Sequence, residues 1–166
     1  DVARYREHHI RHHAHTGTDL DPDMSLVDPF PTTRRSLQRK LLRDVSGISG
    51  LRRMLGLLLM DFGFIRYNVA ADVEKLPQEG RGVLDYARDG LRNFGPVVLS
   101  NAVLASLLML LGVGWLYGVW VLANLTTYGL FLRVRSIAEH ACMERGPAMW
   151  RNTRTTRAGW LARLSV

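Results

Sequence analysis

A chain of 166 residues with 47% hydrophobic content and a formal net charge of +7 has room for one ordinary domain, and its apolar residues are very unevenly spread. Its single cysteine, Cys142, excludes an intrachain disulfide, and no identifiable basic partner marks it as a catalytic thiol. The positive charge suits either nucleic acid or anionic lipid; no recognised nucleic-acid-binding motif accompanies the arginines, and no secretory signal opens the chain.

The first notable stretch is "YREHHIRHHAHTGTDLDPD", residues 5 to 23, in which five histidines fall between positions 8 and 15 and three aspartates follow. Imidazole is the commonest protein ligand for transition metals, so a cluster this dense points to metal. If residues 4 to 15 are helical, His9, His12 and His13 share one arc, and so do His8, His12 and His15. Spacing alone does not choose between the two triplets, and a solvated histidine face is the bland alternative. Asp19, Asp21 and Asp23 either orient imidazoles or cap a bend at Pro22.

"PTTRRSLQRKLLRDVSG", residues 31 to 47, predicts an amphipathic helix with Leu37, Leu41, Leu42 and Val45 at helical spacing, Thr33 as N-cap and Gly47 beyond the end. "LRRMLGLLLMDFGFIRY", residues 51 to 67, is apolar but carries Asp61, and its uncharged part is too short to cross a bilayer. It reads as an interfacial helix edged by arginines, with a buried packing helix as the alternative. Residues 71 to 92, with Pro77, Gly80 and Gly82, read as a polar cytoplasmic connection.

From Pro96 to Leu132 there is no Asp, Glu, Lys, Arg or His. As one helix this run would be about 55 Å long, against about 30 Å of hydrocarbon, so two passes fit better than one. The break is expected at "GVGW", residues 112 to 115, leaving arms of roughly 16 to 18 residues. Arginines 81, 88 and 92 precede the hairpin and 133, 135 and 145 follow it, so both ends are expected in the cytoplasm. Asn101, Asn124, Thr126, Thr127 and Tyr128 are polar exceptions within the run, suited to interhelical contact or to substrate. If the second pass continues through "RVRSIAEH", His140 hangs in the same cytoplasmic layer as the first cluster, with Glu139 beside it as a possible orienting acceptor.

With these residues in view, the chain resembles the integral-membrane fatty acid desaturases with histidine boxes, a family that includes related hydroxylases and ketolases. "YREHHIRHHAHTGTDLDPD" looks like the second box, whose H-x-x-H-H falls on His9, His12 and His13. "RVRSIAEH" followed by "RNTRTTRAGWLARLSV" is similar to the stretch before the third box in bacterial members, where an E-H pair gives an iron ligand that maps onto His140. "DPFPTTRRSLQRKLLRDVSG" belongs to the same resemblance. The family's first and third boxes have no counterpart here, and the chain starts with Asp rather than Met, so it reads as the middle of a longer desaturase, binding iron weakly and without turnover by itself.

The resemblance implies an all-α integral membrane fold within a single domain. Residues 1–92 would form a cytoplasmic layer with interfacial amphipathic helices, 93–132 a transmembrane helical hairpin, and 133–166 a second cytoplasmic segment. It implies two irons and O₂ as cofactors, with His9, His12, His13 and His140 as metal ligands. The substrate would be an acyl lipid or acyl carrier and the electron donor a protein such as ferredoxin. Membrane lipids are the remaining partner, nucleic acid is none, and the compartment is a bacterial inner membrane. Two rival readings are a membrane di-iron hydroxylase or ketolase acting on alkane, sterol or carotenoid, and a non-enzymatic membrane metal transporter or chaperone. The absence of acidic or histidine residues within 96–132 counts against transport.

Overall fold

A computed structural model of the chain describes residues 2–67, 73–146, 148–154 and 159. The stretch "WLARLSV", on which the comparison with the third-box region partly rests, lies outside the described residues.

Helix α1 (Val2–His15) carries the histidine tract. It is closed by hydroxyls that reach back to its last carbonyls: Thr16 donates to His12 O at 2.7 Å and Thr18 to His15 O at 2.7 Å. The chain then bends around Asp21, whose carboxylate accepts from the amides of Gly17 at 3.0 Å and Asp23 at 2.9 Å. After the short α2 (Met24–Val27), α3 (Arg34–Val45) begins as the sequence predicts, with the Thr33 hydroxyl accepting from Ser36 N at 3.2 Å. Its buried residue, however, is Asp44 rather than a leucine, and Leu42 and Val45 are exposed.

Helix α4 (Ile48–Asp61) follows after two residues. It meets the backbone of the later helices so closely that a Cβ on Gly50 would lie 2.0 Å from Leu125 O, and only glycine permits that approach. The expected helix over residues 51 to 67 stops early. Gly63, at φ +78°, ends it in a conformation that most residues disfavour, and the following Ile-Arg-Tyr suits a strand better than a helix. Strand β1 (Ile65–Tyr67) pairs antiparallel with β2 (Val73–Lys75) in the register Ile65↔Lys75, Arg66↔Glu74 and Tyr67↔Val73. The stretch read as a polar connection, residues 71 to 92, therefore contains β2 and most of a regular helix, α5 (Val83–Asn93). The Asp85 carboxylate accepts from Gly82 N at 2.8 Å at its start, a local cap that composition concealed.

The uncharged run forms α6 (Gly95–Leu110), a turn, and α7 (Trp115–Leu125), so the break falls where the glycines predict it. α7 continues into α8 (Thr127–His140) through Thr126, and the two together make an apolar helix of 26 residues, Trp115–His140, long enough to cross a membrane. α5 and α6, bent by 44° between them, pass the same test of length and composition when taken as a pair. A last short helix, α9 (Met149–Asn152), lies beyond. The fold is thus mainly helical, with one small hairpin added.

α8 is the element that organises the assembly. It packs against α2, α3 and α4, and α7 packs against α4 and α6. Among the described residues the only buried hydrophobic is Ala141, whereas His12, Thr16, Asp21, Asp44, Asp61 and Asn152 are all buried. Large apolar side chains instead point outward along α6 and α7, neither of which has a buried residue. Exposed leucines at this density mark a surface suited to contact with another apolar phase or partner.

Candidate metal centre

The helical spacing of α1 places His9, His12 and His13 on one face. Their ring centroids are 4.5 Å apart for His9 and His13, 5.4 Å for His12 and His13, and 6.2 Å for His9 and His12. α8 brings His140 to the same place from the far end of the apolar helices, 5.1 Å from His12 between centroids. The four histidines expected as ligands are therefore neighbours. Of the competing triplet His8, His12 and His15, His8 Nε2 lies 2.8 Å from Asp23 Oδ1, a carboxylate contact like that of His12.

Two aspartates are engaged as orienting groups. His12 Nδ1 lies 2.7 Å from Asp21 Oδ1, both side chains being buried. A carboxylate only accepts, so Nδ1 carries the proton there and Nε2 is left to act as a ligand. Asp21 thus fills both roles considered for the acidic run, bending the chain and fixing an imidazole, while Asp19 is simply exposed. Glu139 does not take the role expected of it. Its carboxylate accepts from Arg135 Nε at 2.9 Å and lies 3.8 Å from His140 Nε2, beyond hydrogen-bond range.

The hydrogen bond that His12 donates to Asp21 raises the His12 pKa above its ordinary value against the opposing effect of burial. Burial works to raise the Asp21 carboxyl, but bonds from His12 and from the amides of Asp23 and Gly17 outweigh it and hold the pKa low. His9 is lowered by burial and then by His13 and His12. A lowered imidazole pKa favours the neutral, ligating form.

The segment after α8 folds back over the cluster. Buried Asn152 donates to Thr16 O at 2.5 Å and Gly146 O at 2.8 Å, and Gly146 N donates to Gly17 O at 2.9 Å. Arg154 N donates to Glu139 O at 2.9 Å. These bonds tie the end of α1 to the end of α8, and neither Asn152 nor its partners carried a signal in the sequence. A cavity of about 110 Å³ opens here, lined by His8, His9, His12, Asp23, Glu139 and His140 among others.

Imidazole nitrogens are a donor set that suits iron, as it suits zinc, copper and nickel. His9 Nε2 and His13 Nε2 lie 3.1 Å apart, within hydrogen-bond distance of each other. His140 Nδ1 is buried with no hydrogen-bond partner, as a nitrogen kept for a ligand would be. A complete centre is not assembled: among the described residues no group of three or more His, Cys, Asp or Glu stands ready to hold a metal ion.

A second polar constellation joins α4 to the helix break. Arg53 donates to Asn124 O at 2.7 Å and Asn124 Oδ1 at 2.6 Å, and lies 4.2 Å from the Tyr128 ring centroid. The Tyr117 hydroxyl meets Asn101 Oδ1 at 3.2 Å across the hairpin. These polar residues of the uncharged run thus make interhelical contacts.

The model of the family described as fatty acid desaturase matches residues 1–166, the whole chain. No curated protein matches the chain. No solved structure matches it either.

Proposed function

The chain belongs to the fatty acid desaturase family, and on that premise we propose that His9, His12, His13 and His140 hold iron in an oxidoreductase that introduces a double bond into an acyl chain. The family is generally di-iron dependent and uses acyl lipids and electron donors. The observation that carries the reading is the meeting of His12 and His140, 5.1 Å apart between ring centroids, because no local property of the sequence brings residues so distant together. Bound there, iron supplies the oxidation of unactivated acyl carbons by O₂, with electrons from an external donor such as ferredoxin.

The chain's own residues bind and orient. Asp21 accepts from His12 Nδ1, which would leave Nε2 for the ion, and burial lowers the His9 pKa, which favours its neutral form. The hydrogen bonds of Asn152 hold the segment after α8 across the cluster and limit water there. α5–α6 and α7–α8 cross the bilayer as a hairpin and return to one side. This is supported by the lack of charge from 96 to 132 and by exposed apolar residues such as Leu110 (84%), Leu111 (74%) and Trp115 (69%). Arginines at both ends and none at the tip support a cytoplasmic side for the cluster.

The test is single replacement of His9, His12, His13 and His140 by Gln in the protein as it occurs in the cell, with iron content and acyl products followed by mass spectrometry. Each replacement is expected to lower bound iron and abolish a product two hydrogens lighter than the substrate. Activity surviving loss of one histidine removes that residue from the ligand set, and a product carrying an added oxygen replaces desaturation by hydroxylation.

A further inference from the structure

Helix α5 divides into three sectors. Taking about 100° per residue, Tyr86, Gly90 and Asn93 share the side that faces the protein. The Tyr86 ring stacks on Phe64 at 4.7 Å and its hydroxyl donates to Gln78 at 2.8 Å; Gly90 lies against the Phe62 ring; Asn93 donates to Asp61 O at 3.0 Å. Next around the helix, Val83, Leu84, Ala87 and Leu91 fall within an arc of about 100°. The large members of this arc touch little: Val83 and Leu84 are each 84% exposed and Leu91 is 77% exposed. Beyond Leu84 come Arg88 and Arg92, both exposed. The helix is therefore docked by one side and presents an apolar strip bordered by cations on another, a pattern that packing against this protein does not explain.

We propose that the Val83–Leu84–Ala87–Leu91 strip of α5 is a lipid-docking surface, seated among the acyl chains at the edge of the leaflet that α6 enters, with Arg88 and Arg92 at the level of the lipid phosphates. Three features select lipid over a protein partner. The strip runs through Phe94 into α6, which is apolar all round and has no buried residue, so the two surfaces are continuous. The 44° bend between the helices lets α5 leave the axis of α6 and spread along the interface while still oblique to it. The charges nearest the strip, Arg88 and Arg92, are basic, which matches phosphate, and the acidic Asp85 and Asp89 stand further round. α6 alone has 16 residues, about 24 Å of helix against a hydrocarbon thickness of about 30 Å, so its first turn lies close to the headgroups where α5 leaves it. Arg81 is held away from this role by Asp89 at 2.5 Å and belongs to the docked side.

The proposal rests on the reading of α6–α8 as a membrane hairpin, and the experiment separates the two. Nitroxide labels are placed singly at 84, 87 and 91, at 85 and 79 as polar references, and at 103 and 107 on α6, in a Cys142→Ser background, with the protein in vesicles of phosphatidylcholine and phosphatidylglycerol. Collision with O₂ and with a water-soluble nickel chelate is then read by EPR. The α5 strip is expected to show an oxygen-to-nickel ratio several-fold above that at 85 and 79, approaching the ratio at 103 and 107. If 103 and 107 are lipid-exposed while 84, 87 and 91 meet nickel as readily as 85, the docking proposal is overturned and the hairpin stands. If 84, 87 and 91 are shielded from both reagents, protein covers the strip and the proposal is again overturned. If 103 and 107 also meet nickel, the hairpin reading fails and takes the proposal with it. These side chains are exposed, and because Asp85 caps the start of α5, the label at 79 is the reference that leaves the helix start intact.

Discussion

Replacing Arg133 with Met probes how α8 is held. Asp44 on α3 is completely buried, and Arg133 meets it through Nε at 2.5 Å and Nη2 at 3.1 Å. Removing the guanidinium while keeping the carboxylate strands a charge away from water, which typically costs about 3–5 kcal/mol. The double replacement Asp44→Leu with Arg133→Met removes the stranded charge as well and is expected to recover most of that loss, since apolar substitutes for buried pairs are often neutral. The consequence reaches the metal centre. Arg133 and His140 are seven positions apart, two turns or about 10.5 Å along one face of α8, so the ion pair also fixes the rotation that aims His140 at His12. The assay is unfolding in detergent micelles by denaturant, followed by circular dichroism, for both single variants and the double. If Arg133→Met costs less than about 1 kcal/mol, or the double variant is no more stable than the single, the pair is not the coupled anchor described here.

Three more outcomes follow from the same geometry. Gly50→Ala drives a Cβ into Leu125 O, at 2.0 Å before relaxation, and is expected to destabilise by at least about 1–3 kcal/mol in the same unfolding assay, while Gly80→Ala, which meets nothing within 4 Å though its φ is +76°, tests the effect of backbone strain without the clash. Asp21→Asn leaves His12 without its carboxylate acceptor and should weaken iron binding by about 10–100-fold in a competitive chelator titration, with helix content unchanged. Burial opposes ionisation of Asp44, but the bond and charge of Arg133 outweigh it and lower its pKa below the ordinary 3.8. The stability it contributes is therefore complete above that value and lost as pH falls through the lower folded value; Asp44→Asn should lack this loss when the two proteins are unfolded side by side down that range.

What the sequence made legible had a short-range or bulk cause. Thr33 caps the next turn through its own hydroxyl, the break near "GVGW" lies in the glycines themselves, and His9, His12 and His13 converge because the α-helical period brings them to one face. The charge-free run announced by composition the apolar helix Trp115–His140, long enough to cross a membrane. Illegible features depended on pairings across the fold. Nothing near Asp44 announces Arg133, and an aspartate among leucines and arginines reads as surface until α8 is laid over it. Asn152 appears as an ordinary polar residue until its amide is seen to join Thr16 and Gly146. The strands at 65–67 and 73–75 were hidden by length: three residues are too few for alternation to emerge from a leucine-rich stretch. α5 was obscured by Pro77, Gly80 and Gly82 just before it, which gave the whole segment the look of a loop.

His140 is proposed to join the three imidazoles of α1 around iron. Iron K-edge X-ray absorption of the iron-loaded protein, wild type beside His140→Gln, tests this most directly by counting imidazole rings in the outer-shell scattering. Loss of imidazole scattering in the variant, with helix content intact, is the predicted result. An unchanged ring count would place His140 outside the metal's reach and contradict the account.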